Sequence, residues 1–415
     1  MFRIPENTKI TPKLAVKFIR RHIIENEKYD KLYSYYIGEH AILDRTKDKS
    51  GANNRLVCNH AKYITDCATG YFLGSPVKYE SRSGKDISMI KDILADADSD
   101  TQDIDLARFG SIFGVSYEML YLTNEGKIML ASLDPRSAFV VYDDTVKQEP
   151  VFGVYYMPLG ENDGYPSGYR VYLCDRTSVR EFIVSAGFSV TKTSQPYEHY
   201  FGGVPIIEYY NNWNRQGDFE QVISLIDAYN TLQSDRINDK EQFVNALLII
   251  KGQILGDTAE EESETFRAIK KYGIMTMDDT GDAKWLTRQF DEASVDILRR
   301  SIETDIHKFS GVPCLTDESF SGNSSGVAMK YKLLAFEQIT KIKERYFAEG
   351  LKIRLALIAN ALSVLGYAKP DVKDIRITFK HYLPENETER AQIVSLLNGI
   401  VDNEKLIKLL PYELD

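Results

Sequence analysis

The side chains that could perform chemistry are scattered along this chain rather than grouped in motifs. No HExxH pair, no Cys/His cluster at zinc spacing and no GxSxG nucleophile elbow is present in the sequence. Phosphate-binding loops of the GxxxxGK[ST] and GxGxxG types are absent as well. The six histidines stand far apart, at positions 22, 40, 60, 199, 307 and 381. The sequence therefore contains no strong catalytic signal.

Cys58 and His60 form the one pairing that suggests a nucleophile and its base. On a helix, however, residues two apart point in different directions. We therefore expect a packed cysteine beside a partly exposed histidine.

Three acidic clusters are candidates for metal binding or docking. "DSDTQDID" at 98–105 is similar to a calcium loop, but it lacks the glycine at the sixth position and the closing glutamate. "DDTGD" at 278–282 fits a turn between two strands. We expect both to be solvated loops. "EEESE" at 260–264 begins a helix, where carboxylates complement the helix dipole, but it could equally be an acidic docking surface.

Composition limits the class of protein. The 415 residues are enough for two or three domains, and 43% of them are hydrophobic, which provides a buried core. A net charge of −10 excludes tight binding of DNA by the whole surface. Four cysteines without CxxC spacing make no disulfide framework. The N-terminus has no apolar signal region, and the longest apolar run, 246–250, is too short to span a bilayer, so we expect a soluble cytosolic protein.

The first half of the chain predicts a mixture of helices and strands. A helix at 11–37 has Thr11 as N-cap before Pro12, and a third helix covers 86–112. Between them, the residues on one face of a second helix are Val57, Ala61, Ile64, Ala68, Tyr71 and Phe72. From Val115 the period changes to two. The strand candidates are "SYEMLYLT", "KIMLASLD", "AFVVYDD", "PVFGVYYMPL", "YRVYLCD", "VREFIVS" and "PIIEYYN". Hairpins at this spacing favour an antiparallel α+β fold.

The second half is dominated by long helices. A helix at 218–251 begins at Asp218 as N-cap and would be roughly 50 Å long. An insert at 253–290 contains an acidic helix and the short strands "IMTMDD" and "AKWLTRQF". Helices at 292–310 and 325–365 follow, the latter roughly 60 Å long. The strand "DIRITFKHYL" and a helix at 386–408 complete the chain.

This order of parts is similar to that of a known family. The most specific stretches are "NNRLVCNHAKYITDCATGYFLGSPVKY" at 53–79, "LASLDPRSAFVVYDD" at 130–144, and "GGVPIIEYYNN" with "GDFEQVISLIDAYNTLQSDRINDKEQF" within 202–243. "GNSSGVAMKYKLLAFE" at 322–337 lies where that family has a Ser/Gly loop before a long helix. Over nearly its whole length, the chain resembles the portal proteins of tailed bacteriophages, in particular those of siphoviruses of Gram-positive hosts.

The resemblance implies an α+β, ring-forming portal-type fold with a named part for each segment. These parts are an α/β wing body at 1–217, a first stem helix at 218–251, a small α/β clip at 252–291, a second stem helix at 292–314, a tunnel loop at 315–326, a long wing helix and strand at 327–383, and a helical crown at 384–415. The chain stops at "LLPYELD", where relatives often continue, so a truncated or small crown is expected.

The tunnel loop is the site that the resemblance singles out. A ring of about twelve helices, each ~10 Å wide, leaves a bore of roughly 28 Å, which admits B-form DNA. Glycines and serines let a loop shift at little cost, hydroxyls contact phosphates weakly, and carboxylates repel them. Alternatively, 321–326 is an ordinary connection with Ser325 as N-cap. The predicted loop residues are Thr316, Asp317, Glu318, Ser319, Phe320, Ser321, Gly322, Asn323, Ser324, Ser325 and Gly326.

Partners follow from the same resemblance. It implies a homo-oligomeric ring, usually of about twelve copies, and double-stranded DNA that passes through without sequence specificity. It also implies the large terminase subunit, a head-completion adaptor, and scaffolding and major capsid proteins, with no cofactor, metal or membrane. The location is the portal vertex of the virion, after assembly in the host cytoplasm. A buried Trp285 is the simpler explanation of that residue, but the clip residues expected to contact partners are Glu260, Glu261, Glu262, Glu264 and Trp285.

Two sets of charged residues have more than one possible role. The basic residues of the long helix are either a solvated face or groups that pair with the next subunit; they are Lys330, Lys332, Lys341, Lys343 and Arg345. Some acidic residues of the stem helices could face the bore, namely Asp227, Asp235, Asp239, Glu303 and Asp305.

Two other functions remain as alternatives. A metal-dependent nuclease or hydrolase would use Asp278, Asp279 and Asp282 and would need a divalent cation. A monomeric scaffold or adaptor would use the long helix for a partner, which would leave the two stem helices and the insert without a purpose. The sequence favours a structural DNA conduit that is not an enzyme.

Overall fold

The structure is a computed structural model that describes residues 1–46, 52–162, 165–243, 247–251, 258–272, 282–286, 292–315, 326–381 and 394–397. The chain divides into two units. The first comprises Met1–Glu39, Asn59–Ile226 and Asp305–Asp415, and the second comprises His40–Cys58 and Asp227–Thr304. Helices and antiparallel strands occur together, which confirms the α+β prediction. None of the described helices combines the length and the apolar character that a bilayer crossing requires.

The helices and strands have the following bounds. The helices are α1 Pro12–Ile37, α2 His60–Leu73, α3 Ser88–Asp96, α4 Ser99–Phe113, α5 Ile223–Phe243, α6 Ala259–Tyr272, α7 Glu292–Ser310 and α8 Gly326–Val364. The strands are β1 Phe2–Ile4, β2 Lys78–Ser81, β3 Val115–Leu122, β4 Ile128–Leu133, β5 Ala138–Asp143, β6 Pro150–Asn162, β7 Tyr165–Cys174, β8 Ser178–Ser185, β9 Val190–Thr193, β10 Tyr197–Glu198, β11 Ile206–Tyr210, β12 Leu247–Lys251, β13 Asp282–Leu286 and β14 Ile375–Thr378.

The predicted N-terminal helix is confirmed together with its N-cap. The Thr11 hydroxyl accepts a hydrogen bond from the Leu14 amide at 3.2 Å, and Pro12 occupies the first turn of α1. The helix ends at Gly38, whose φ of 93° lies in the left-handed region that glycine adopts without strain. Helices α7 and α8 also agree with the sequence prediction within one residue at each end.

Two predicted helices were wrong at their boundaries in the first unit. The predicted helix at 86–112 is two helices, because Asp98 adopts a left-handed φ of 50° that breaks the hydrogen-bond ladder. The second predicted helix begins at His60 rather than near Val57, since Asn59 caps it by accepting from the Lys62 amide at 2.9 Å.

The predicted helix at 218–251 was also wrong at both ends. It begins as a short 3₁₀ turn at Glu220–Val222, ends as α5 at Phe243, and is followed by the strand β12. Asp218 does not cap it, because its carboxylate accepts from Ser111 and Asn211 instead. An unbroken apolar run such as 247–250 fits a buried strand as well as a helix, so its periodicity could not separate the two. The predicted strand "IMTMDD" lies outside the described residues.

The first unit is built on a large sheet with the order β1-β5-β6-β7-β8-β10, to which β9 adds by pairing with β8. All its pairs are antiparallel except β1 with β5. Helix α1 buries Val16, Phe18 and Ile19 against this sheet. A three-stranded sheet, β11-β3-β4, and the pair β14-β2 carry a second hydrophobic cluster, which α2, α3, α4 and α8 cover.

The second unit places an irregular segment, 52–58, along α5. Side chains of α5 at a spacing of four accept hydrogen bonds from alternate backbone amides of this segment. The pairs are Asn238 with Asn54 at 2.7 Å, Ser234 with Leu56 at 2.9 Å, and Asn230 with Cys58 at 2.8 Å. The side-chain oxygens of Asn230, Ser234 and Asn238 are therefore satisfied by backbone amides.

Helices α5 and α7 are joined by ion pairs within this unit. Glu292 of α7 pairs with Arg236 at 2.8 Å and with Lys240 at 3.0 Å. Arg299 of α7 donates to the Tyr229 hydroxyl at 3.4 Å. The β12-β13 pair is antiparallel and matches Leu248 with Trp285.

Candidate functional site

The structure describes only part of the sites predicted from the sequence. Residues 316–325 of the predicted tunnel loop lie outside the described residues, and Gly326 is the first residue of α8. In the predicted clip, Glu260, Glu261, Glu262 and Glu264 are exposed on α6, and the backbone of Trp285 belongs to β13. The roles assigned to these residues remain predictions.

The chain approaches the predicted tunnel loop through a segment, 311–315, that α2 holds in place. The Tyr63 hydroxyl of α2 donates to the Pro313 carbonyl at 3.2 Å and accepts from the Leu315 amide at 2.7 Å. Nδ1 of His307, near the end of α7, donates to the Val312 carbonyl at 2.9 Å. Burial raises the pKa of Tyr63 to about 12, so its hydroxyl keeps its proton at neutral pH. We call 311–315 the loop root.

Replacing Tyr63 with phenylalanine is expected to loosen the loop root and to cost about 1 kcal/mol of local stability, because two hydrogen bonds are lost. Hydrogen exchange at the Leu315 amide should become faster. Tyr121→Phe, at a tyrosine that is 39% exposed, should leave this exchange rate unchanged. Equal protection of Leu315 in Tyr63→Phe and the wild type would contradict the assignment.

Helix α8, which follows the predicted loop, is anchored by a buried arginine. Arg354 is fully buried and donates to Asp103 of α4 at 2.5 Å and to both oxygens of Glu118 on β3, at 2.7 and 2.8 Å. The Tyr209 hydroxyl donates to Glu118 at 2.7 Å. Because the two carboxylates belong to different elements, this cluster fixes both the rotation and the position of α8.

The cluster contains one cation and two carboxylates, which leaves a buried negative charge at neutral pH. Burial raises the pKa of Asp103 from 3.8 to about 6, although the Arg354 charge opposes this shift. The folded state therefore binds a proton at Asp103 more tightly than the unfolded chain does. The contribution of this carboxyl to stability is fully present below pH 3.8 and is lost as the pH rises through about 6.

Asp103→Asn is expected to remove this part of the pH dependence. As the pH falls from 6.5 to 4.5, the free energy of unfolding of the wild type should rise relative to that of the variant. Each unit by which folding raises the pKa of Asp103 corresponds to about 1.4 kcal/mol. Urea titrations at several pH values measure the difference. The exposed Asp92→Asn should keep the wild-type pH dependence. Parallel pH profiles for the wild type and Asp103→Asn would show that this proton is not bound.

A second buried ion pair fixes α8 to the rest of the first unit, three turns before Arg354. Lys343 pairs with Asp218, and the same carboxylate accepts from Ser111 at 2.7 Å and from Asn211 at 2.8 Å. The prediction that Lys343 lies on a solvated face or pairs with another subunit was therefore wrong. The lysine is buried because its partner within the chain compensates its charge.

Other charged residues that were candidates for the bore or for neighbouring copies also have partners in their own unit. Lys341 pairs with Glu344 at 3.0 Å in the first unit. In the second unit, Asp235 pairs with Arg45 at 2.6 Å and Glu303 with Arg299 at 2.8 Å. These partners reduce the charge that those residues would present to DNA. The side chains of Lys330 and Lys332 lie outside the described residues.

The acidic clusters considered for metal binding take other forms. Residues 98–105 cap and begin α4, so the predicted solvated loop was wrong, and Asp103 is 3% exposed. In the second cluster, 278–281 lie outside the described residues, and Asp282 is the first residue of β13.

Cys58 and His60 are confirmed as a packed cysteine and a partly exposed histidine. Burial raises the pKa of the Cys58 thiol, which opposes formation of a nucleophilic thiolate at neutral pH. His60 begins α2, and its ring packs against that of His307, with the ring centroids 5.8 Å apart.

The Arg354 cluster and the Tyr63 contact were not predicted from the sequence. One signal for the cluster was available, because Glu118 stands in the middle of the apolar strand "SYEMLYL", where a carboxylate needs a partner. The identity of that partner, 236 residues later in the chain, is set by tertiary packing.

Comparison with known proteins identifies a matching family and related portal proteins. The family model "Phage portal protein, SPP1 Gp6-like" matches residues 17–415. The portal protein of Bacillus phage SPP1 is 23% identical over 426 residues, which cover 97% of this chain and 82% of that protein. The portal protein of Clostridium phage phiCD119 is 24% identical over 220 residues, which cover 52% of this chain and 47% of that protein.

Solved structures include similar chains from gene transfer agent (GTA) particles. A chain from the neck of the empty particle, computed with C6 symmetry, is 15% identical with a TM-score of 0.46, covering 85% of this chain and 90% of that one. A chain from the neck of the native particle, computed with C12 symmetry, is 13% identical with a TM-score of 0.45, covering 86% and 90%. Since the family model accounts for the chain from residue 17 to residue 415, the protein belongs to the family of SPP1 Gp6-like phage portal proteins.

Proposed function

We propose that this chain forms a ring of about twelve copies at one vertex of a phage capsid, and that double-stranded DNA enters and leaves the capsid through the centre of the ring. The observation that carries the proposal is membership of the portal family along residues 17–415. This family consists of structural components of the virion rather than of enzymes.

In this proposal, the loop at 316–326 contacts the moving DNA. Its two flanks are supported in different ways within the first unit. Tyr63 holds the loop root on the side of α7, and the Lys343 and Arg354 anchors hold α8 on the other side. Contacts between the loop and DNA would then leave the body of the first unit in place, because both flanks are fixed to it. Weak, uncharged contacts with phosphates would let DNA slide.

The acidic helix α6 is the proposed docking surface for the terminase and for the head-completion adaptor. Its first turns expose Glu260, Glu261, Glu262 and Glu264, which favours a basic partner surface. Scaffolding and major capsid proteins would surround the wing during assembly in the host cytoplasm.

The test compares capsids that are assembled with and without this chain in the presence of the packaging machinery. We expect DNase-protected DNA of full length only when the chain is present. Filled capsids in its absence would contradict the proposed function. DNA cleavage by the purified chain with Mg²⁺ or Mn²⁺ would instead support the nuclease alternative.

A further inference from the structure

Three side chains of the kinds that bind metal ions lie together where α7 is followed by the loop root. Glu303 and His307 are one turn apart on α7, and Cys314 belongs to the loop root. A carboxylate oxygen, an imidazole nitrogen and the thiol sulfur lie within 4.8 Å of one another. All three residues belong to one continuous segment, 303–314, and are partly buried, so an ion can reach them from solvent. We call Glu303, His307 and Cys314 the ligand group.

The ring of His307 is held in the orientation that a metal ligand needs. Its Nδ1 lies 2.9 Å from the Val312 carbonyl, and because a carbonyl oxygen only accepts, Nδ1 carries the proton. In the neutral ring, Nε2 then has a lone pair for a cation. The rings of Tyr63 and His60 pack edge-on against it, with ring centroids 5.5 and 5.8 Å away. A histidine that donates from its second nitrogen to a backbone carbonyl is typical of metal sites.

The other two members of the ligand group are also positioned by their neighbours. The Tyr63 hydroxyl bonds the carbonyl of the residue before Cys314 and the amide of the residue after it, which fixes the backbone on both sides of the thiol. One oxygen of Glu303 accepts from Arg299 at 2.8 Å, and the carboxylate has a second oxygen to offer. Such support reduces the reorganisation that binding of an ion requires.

The chemistry of the ligand group selects the class of ion. Thiolate sulfur, imidazole nitrogen and carboxylate oxygen are the ligands of zinc, whereas Mg²⁺ and Ca²⁺ prefer oxygen ligands alone. Zinc bonds of about 2.0–2.3 Å in a tetrahedron place the ligand atoms roughly 3.3–3.8 Å apart. The present separations of up to 4.8 Å would close by about 1 Å, which rotation of the Glu303 and Cys314 side chains supplies.

We propose that Glu303, His307 and Cys314 bind one Zn²⁺ or similar divalent transition-metal ion, with water as the fourth ligand. Cys314 lies two residues before the predicted tunnel loop at 316–326, so the ion would tie the start of that loop to α7. The resemblance to portal proteins implied no metal, and the site is inferred from the structure alone. It does not rest on the proposed function, because all three ligands come from one copy of the chain.

Zinc binding by the purified, reduced, full-length chain tests this site. Isothermal titration calorimetry should show one Zn²⁺ per chain, and Co²⁺ should produce the near-ultraviolet absorption of a cobalt–thiolate bond. Cys314→Ala should abolish this absorption and weaken zinc binding by about a hundredfold, and Glu303→Gln should weaken it by about tenfold or more. Zinc should slow hydrogen exchange at the Leu315 amide in the wild type but not in Cys314→Ala.

Matched substitutions distinguish the ligand group from other thiols and carboxylates. Cys58→Ala and Cys67→Ala remove the two other partly buried thiols and should keep both the zinc affinity and the cobalt absorption. Glu27→Gln, at an exposed glutamate of α1, is the control for Glu303→Gln. Cooperative thermal unfolding of each variant would show that it remains folded.

The outcomes that would overturn the site are specific. They are a wild type that binds no zinc, equal zinc affinity in the wild type and Cys314→Ala, and cobalt absorption that is lost in Cys58→Ala or Cys67→Ala but kept in Cys314→Ala. Unchanged zinc affinity in Glu303→Gln would overturn the assignment of three ligands. None of these results depends on ring formation or DNA packaging, so failure of the proposed function would be recognised separately.

Discussion

Replacing Arg354 with methionine is expected to lower the free energy of unfolding of the first unit by about 3–5 kcal/mol. Arg354 is fully buried, and its guanidinium is bonded to two carboxylates that are themselves no more than 4% exposed. Methionine fills much of the same volume but leaves Asp103 and Glu118 without a cation. The cost therefore comes mainly from uncompensated buried charge rather than from lost packing.

Urea unfolding at pH 7.5 measures this cost. The matched substitution Arg376→Met, at an exposed arginine of β14, should change the free energy of unfolding by no more than about 0.5 kcal/mol. Adding Asp103→Asn and Glu118→Gln to Arg354→Met should recover part of the loss, because the buried charges are then removed together. A loss below about 1 kcal/mol for Arg354→Met would show that this cluster does not anchor α8.

Deleting residues 319–323 is expected to reduce DNA-filled capsids to background while rings still form. If the loop at 316–326 contacts the moving DNA, a shortened loop no longer reaches it, whereas the loop root and the α8 anchors are unchanged. Packaging is measured as DNase-protected DNA in particles assembled with the variant. Ring formation is measured separately on the purified variant, so that an assembly defect is recognised as such.

Replacement of the same five residues by a Gly/Ser segment of equal length is the control for this deletion. It should keep packaging near the wild-type level, because the loop keeps its length and Gly/Ser segments let the chain move. A deletion variant that packages normally would mean that 321–326 is an ordinary connection with Ser325 as N-cap. A deletion variant that forms no rings would assign the loop to assembly rather than to DNA contact.

Helices with strong local signals could be predicted from the sequence. Helix α1 has Thr11 and Pro12 at its start and a glycine at its end, and α7 and α8 keep an apolar period over many turns. The antiparallel strands from β3 to β8 follow from alternation and turn residues that the chain carries locally. These features depend on residues that are close together in the chain, which is why they could be predicted from one sequence.

Features that depend on distant residues could not be predicted. Strand β12 forms because β13, more than 30 residues later, pairs with it. The break between α3 and α4 rests on one left-handed residue, Asp98, and aspartate also occurs in ordinary helix starts. The buried roles of Lys343 and Arg354 depend on carboxylates that the fold brings from other elements. For Lys343, the sequence left open a solvated face or a contact with the next copy, and packing within the chain buries it instead.

The native mass of the purified chain, with electron microscopy images of the same peak, tests the proposed conduit most directly. We expect assemblies of about twelve copies of the 47.3 kDa chain, seen as rings with a central hole wide enough for duplex DNA. A single species of 47.3 kDa across a wide range of concentrations, with and without scaffolding protein, would contradict it.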